Sequence, residues 1–160
     1  MQNGNGKPPS CAKLTTHGKA TYAAARERIQ QAREAAATLA KTIFDEGAAA
    51  LFAAHPVMDS FSWTQYTPYF NDGDACNFNV HTDEPDINGE DLEFTERGYD
   101  WVNGGRVHIG EPSDRYKAQQ AVSEFLNSIA EEDMLMMFGD HVKVTANRDT
   151  ETEVDEYSHD

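Results

Sequence analysis

An α+β domain is the fold this chain encodes, and three observations carry that expectation. An alanine-rich segment with charges at helical spacing runs without proline from about Thr16 or Lys19 to Ala54. Two later stretches, 61–80 and 141–157, alternate β-forming and polar residues about turn signals. Between them a capped amphipathic helix begins at Ser113. Together these predict a long N-terminal helix and a second helix packed on a four-stranded antiparallel sheet made of two β-hairpins.

The 160 residues suffice for one domain with a real core, placed at 14–160 behind a tail at 1–13 that has no apolar periodicity and is expected to be disordered. With 39% hydrophobic and 26% charged residues, the domain is expected to be soluble. No apolar run approaches the roughly 18–20 residues of a membrane span. The opening MQNGNGKPPS lacks the charged-then-apolar order of a signal peptide, so the cytosol is the expected compartment. Cys11 and Cys76 make neither a disulfide framework nor a metal-ligand spacing, and Cys76 is expected to be a small core residue.

The net charge of −15 is unevenly spread: residues 1–54 carry seven Lys/Arg against four Asp/Glu, residues 55–160 six against twenty-four. An acidic body of that kind repels a phosphate backbone, so direct nucleic-acid binding is not expected, and a basic protein surface is its natural complement. The plain alternative is that the acidity only keeps the chain soluble.

Along the long helix, Tyr22, Ile29, Ala36 and Ile43 recur every seven residues with Ala25, Ala32 and Leu39 between them, a heptad stripe. Phe44, Leu51 and Phe52 widen the apolar face toward the C-terminal end, which is therefore expected in the core. A helix of ~35 residues is on the order of 50 Å long, more than the roughly 40 Å diameter of a compact domain this size. Its outer part, with Tyr22, Ala25, Ile29 and Ala32 flanked by arginines, is a candidate dimer seam. Two readings stand at Gly47: a straight helix, or a break that folds the segment back.

In the first hairpin, Trp63, Thr64, Tyr66, Thr67, Tyr69 and Phe70 lead into Asn71-Asp72-Gly73-Asp74, after which Cys76, Phe78 and Val80 form an apolar face. Pro68 places this strand at an edge, or sets a bulge or break near Thr67. The aromatics are too many for one face, so some of Trp63, Tyr66, Tyr69 and Phe70 are expected to be exposed or covered by a partner. The following run, 81–93, is acidic, but Thr95 stands where an EF-hand loop needs its bidentate Glu, and the run reads as a solvated loop.

Residues 94–112 suggest a small hairpin with Tyr99 and Trp101 opposite Arg106 and His108 across Asn103-Gly104-Gly105. Trp101 is either part of a binding loop or a cap on the core. Ser113 caps the next helix, whose core face is Ala118, Ala121, Val122, Phe125, Leu126 and Ile129. A short helix through Met134, Met136 and Met137 ends at Gly139, with its methionines read as core filler. The last hairpin alternates Val142 and Val144 with Lys143 and Thr145, and returns through Glu151, Glu153, Asp155 and Glu156 as an acidic face.

The stretch WTQYTPYFNDGDAC at 63–76, FGDHVKVT at 138–145 and the YSHD ending at 157–160 resemble small uncharacterised proteins of tailed bacteriophages, over nearly the whole chain from Lys13. The resemblance implies a viral product acting in a bacterial host's cytosol and brings no activity or site residue with it.

Chemistry is thinly signalled. Six histidines make no HxH, HExxH or Cys-His pattern, and there is no GxGxxG or P-loop. The nearest constellation for a metal-dependent hydrolase is Asp72, Asp74, His81 and Asp83, whose strand positions do not converge. No catalytic residue, metal or cofactor is assigned. The leading expectation is a non-enzymatic phage accessory protein that binds a host or phage protein with a basic surface, such as an inhibitor of host defence. It would use the acidic residues Glu151, Glu153, Asp155 and Glu156 and the aromatics Trp63, Tyr66, Tyr69, Tyr99 and Trp101. The alternatives are a small-ligand module between the Trp63 hairpin and the Trp101 loop, and a structural homodimer through the long helix.

Overall fold

The computed structural model describes residues 16–70, 73 and 75–158. The expected tail at 1–13 with Cys11, and Asn71, Asp72 and Asp74 of the expected first turn, lie outside the described residues. The chain forms two compact units, Met1–Ala36 and Ala37–Asp160. In the first, the described part is helical, and its side chains from Ala20 to Ala36 are all exposed.

The helix α1 spans Thr16–Ala54 and passes through Gly47 without interruption. Gly47 is a packing residue rather than a weak point: a Cβ there would press into the ring of Phe125, so glycine lets a neighbouring helix come close. The helix stops just before His55-Pro56, as a proline without an N–H dictates. Its last turn is tied down from afar. The Arg148 guanidinium donates to the carbonyl of Phe52 (2.9 Å) in that turn, a group a helix end leaves open, and to those of His55 (3.2 Å) and Met58 (2.5 Å) just beyond it.

In the second unit, β1 (Ser60–Tyr66) and β2 (Asn79–Ile87) form one antiparallel pair, and β5 (Val142–Asn147) and β6 (Glu153–Glu156) another. They make one sheet in the order β2-β1-β5-β6, so β1 is central. Residues 67–68 fall just past its end, because proline cannot continue an inner strand. β2 lies at the edge and is longer than the sequence suggests. Its acidic residues 81–87 are strand, correcting the solvated loop expected there. The disguise is a bulge: Ser62 pairs with Asp86 and Thr64 with His81, leaving Thr82, Asp83, Glu84 and Pro85 opposite Trp63 alone. The pairing end of this hairpin moves with it. Cys76, expected in the core, is exposed in the connection, and Phe78 is only partly buried.

The helices α2 (Asp114–Asn127) and α3 (Glu131–Phe138) complete the layer over the sheet. Ser113 Oγ accepts the Tyr116 N–H at 3.1 Å, the expected cap, and Ala118, Val122 and Leu126 are buried. Of the three methionines only Met134 is fully buried, whereas Met136 is exposed. The core joins Phe44, Ala48 and Phe52 of α1 to Phe61 and Trp63 of β1, Val144 and Ala146 of β5, and the apolar faces of α2 and α3. The strands β3 (Tyr99–Val102) and β4 (Gly105–His108) pair separately as a two-stranded sheet. Positive φ at Asn103 (52°) and Gly104 (80°) makes the reversal a two-residue turn, one residue shorter than the Asn103-Gly104-Gly105 expected, with Gly105 paired to Val102 in the strand.

Candidate functional site

Alternation along β1 sends successive side chains to opposite faces of the sheet. Phe61 and Trp63 go to the helices; Ser62, Thr64 and Tyr66 go to the other side, which carries polar side chains and no part of the core. The pairings continue this outer face across the sheet: Ser62 with Thr145, Thr64 with Lys143, then Thr145 with Glu153 and Lys143 with Asp155. On the β2 side the bulge swings Asp83 and Glu84 over a groove of about 600 Å3, lined also by Ser62, Thr64, His81, Asp86 and Lys143.

The electrostatics of this groove are one-sided. Lys143 Nζ lies 3.0 Å from Asp86, which also accepts the Ser62 hydroxyl at 3.2 Å, and Arg97 pairs with Glu84 at 2.5 Å. Asp83, Glu153 and Asp155 form no ion pair among the described residues. Three carboxylates are thus left to act on solvent or on a partner.

Aromatic groups close one end of the face. Tyr66 stacks on His81 (4.4 Å between ring centroids) and lies against Tyr157 (5.5 Å). Beyond them Tyr69, 66% exposed, stacks on His141 at 4.7 Å. Asp140 holds this end in place: its carboxylate accepts the Thr67 N–H and hydroxyl, both at 2.8 Å, and the His141 N–H at 2.8 Å. Desolvation acts to raise its pKa, but those hydrogen bonds and the neighbouring imidazole of His141 outweigh it and hold the carboxyl below its ordinary value.

The structure therefore puts Tyr66, Glu153 and Asp155 on one face of the sheet, with Tyr69 past the end of β1, and scatters the other expected binding residues. Trp63 is 3% exposed, in edge contact with Phe138 and near-parallel to Phe61. It is a core residue, which corrects its expected place among the exposed binding aromatics. Glu156 pairs with Val142 on the opposite side of β6, and Glu151 lies before the strand, beside a different groove lined by Phe52 and Arg148. The four carboxylates of the last hairpin thus do not make one face. Tyr99 and Trp101 belong to the separate hairpin, where Arg106 sits 4.4 Å over the Tyr99 ring and Trp101, 61% exposed, stacks on Phe94. Trp101 does not cap the core. Tyr22, Ala25, Ile29 and Ala32 are exposed on α1.

Sequence reasoning missed His81, Asp83, Asp86 and Lys143 as members of the outer face. Lys143 was legible from its alternation with Val142 and Val144; the β2 residues were not, because four bulged residues break the period of two. Of the hydrolase constellation, Asp72 and Asp74 lie outside the described residues, while His81 is stacked on Tyr66 and Asp83 lines the groove. Among the described residues no three His, Cys, Asp or Glu side chains are placed to hold a metal ion, and no helix is long and apolar enough to cross a membrane.

Compared with family models, with curated proteins and with solved structures, the chain has no significant match in any of the three.

Proposed function

We propose that the protein is a binding protein whose outer sheet face, acidic along β2 and β6 and aromatic at the Tyr66 end, receives a basic surface of another protein. The observation that carries this reading is the pairing of Lys143 with Asp86 beside Asp83, Glu153 and Asp155, which leaves an excess of negative charge on a sheet face that no helix covers among the described residues. A partner rich in Lys and Arg would be steered to this face and anchored on Tyr66 and Tyr69, since aromatic rings add contact area and cation-π attraction at low entropic cost. On the resemblance to phage proteins, the expected partner is a host protein that binds DNA through a basic surface.

The test is retention of bacterial proteins on the immobilised chain, at low salt and at about 1 M salt where the screening length is roughly 3 Å. A basic protein held stoichiometrically at low salt, released at high salt and not held by the Asp83→Lys, Glu153→Lys, Asp155→Lys variant is the expected result. Retention that ignores both salt and the triple reversal would sink the reading.

A further inference from the structure

The stripe at heptad spacing on α1 stays uncovered in both units. In the first, Tyr22 and Ile29 are exposed; in the second, Leu39 and Ile43 are 62% and 60% exposed. Ile43 also lines an apolar groove of about 430 Å3 between α1, α2 and α3, with Phe125, Ile129 and Met137. Asp133 stands on the rim of that groove, and the neighbouring Glu131 and Glu132 of α3 are exposed.

We infer that the groove and the adjoining Leu39–Ile43 stripe are the seat for residues 20–36 of a second copy of this chain, the two copies exchanging these segments about a two-fold axis. Three observations choose this occupant. First, with Tyr22, Ile29, Ala36 and Ile43 as a positions and Ala25, Ala32 and Leu39 as d positions, an antiparallel pairing sets Ile29 against Leu39 of the partner subunit. The same register sets Ala25 against Ile43 of the partner subunit, and Ala32 against Ala36 of the partner subunit. Ile29 then meets Leu39 of the partner subunit, Ala25 leaves room for Ile43 of the partner subunit, and alanines allow close approach near the axis.

Second, the charges fit. Residues 20–36 carry Arg26, Arg28 and Arg33 against Glu27 and Glu34, whereas residues 37–160 carry twenty-six carboxylates against seven Lys/Arg. Arg26 falls on the flank that meets Ala40 of the partner subunit, the side on which Asp133 rims the groove. Third, the parallel register is opposed, because it sets Arg28 of each helix against Arg33 of the other in the flanking positions, two like-charge contacts. The antiparallel register has one, Arg33 with its own counterpart near the axis. An exchange of this kind is isologous and closes as a dimer. It is independent of the proposed use of the outer sheet face, which lies on the other side of the sheet from the helices.

The experiment is sedimentation or light scattering of the full chain and its variants, with circular dichroism to check folding. The expected result is twice the 17.8 kDa chain mass. Ile29→Asp and Ile43→Asp should each raise the dissociation constant by at least about tenfold with the helical signal unchanged, since either places a charge in the seam. Arg26→Glu and Asp133→Arg should each weaken the dimer, and the double variant should recover it. A monomeric wild type at every accessible concentration overturns the proposal. So does a dimer that Ile29→Asp breaks and Ile43→Asp leaves intact, which would mean that the outer helices pair with each other, or a double variant no tighter than the single ones.

Discussion

The two faces of the central sheet are built from the same strands, one residue apart, and obey different rules. On the inner face Phe61, Trp63, Val144 and Ala146 are all buried beneath helices. On the outer face Thr64, Tyr66, Lys143 and Thr145 keep solvent contact, and their interactions are ion pairs, hydroxyls and stacked rings. The contrast teaches that stability and recognition are separable here: what holds the fold together is turned away from what is offered to a partner. Ser62 is buried on the outer face, where its hydroxyl donates to Asp86, and a second exception lies within the inner layer. Gln65 lies on the inner face, is fully buried, and joins β1 to α3 and to the glycine that ends it. Its amide donates to the carbonyls of Met134 (3.1 Å) and Gly139 (2.6 Å), while its oxygen accepts the Trp63 indole N–H at 3.1 Å. It is a polar clamp inside the apolar layer, acceptable because both ends of the amide are satisfied.

The largest test of this separation is Trp63→Ala, expected to cost about 3–5 kcal/mol in urea unfolding, because it removes the ring that touches Phe44, Phe61 and Phe138. If Trp63 were instead part of a binding surface, stability would barely move. Next is Gln65→Ala, which strands two carbonyls and an indole N–H in the interior; a loss of about 2–3 kcal/mol is expected. A loss below about 0.5 kcal/mol would show that water replaces the amide. On the outer face, Glu153→Gln with Asp155→Gln should change stability by no more than about 0.5 kcal/mol while weakening capture of a basic partner, so a large unfolding effect would collapse the contrast.

The smallest effect sharpens the outer face through pH. A carboxyl held below its ordinary pKa adds stability above the unfolded value of about 3.9, and loses it as pH falls through the lower folded value. Asp140→Asn should therefore be slightly less stable than the wild type at neutral pH, by under about 1 kcal/mol for so exposed a group. The gap should close as the pH is taken below the ordinary carboxylate range. A gap that widens in acid would reverse the assignment.

Much of the fold was legible because local rules stated it. The alanine-rich run and the proline after it mark α1, Ser113 caps α2, and Asn103-Gly104 turns the small hairpin, each within a few residues of its cause. The candidate site was legible only in part. Tyr66, Tyr69, Glu153 and Asp155 could be nominated from composition, but Trp63 looked equally available, because an aromatic in a strand does not announce which face the helices will cover.

What the sequence by itself determined was the kind and order of elements, the acidic body and the heptad stripe, since these depend on propensity, charge and spacing along the chain. Only the tertiary structure decided the rest. It turned 81–87 into an edge strand by a bulge, made Gly47 the floor for Phe125, buried Gln65 against Met134 and Gly139, and split the last hairpin's carboxylates between two faces. Each of these rests on contacts between residues far apart in the chain, and periodicity within a segment carries no information about what will pack against it.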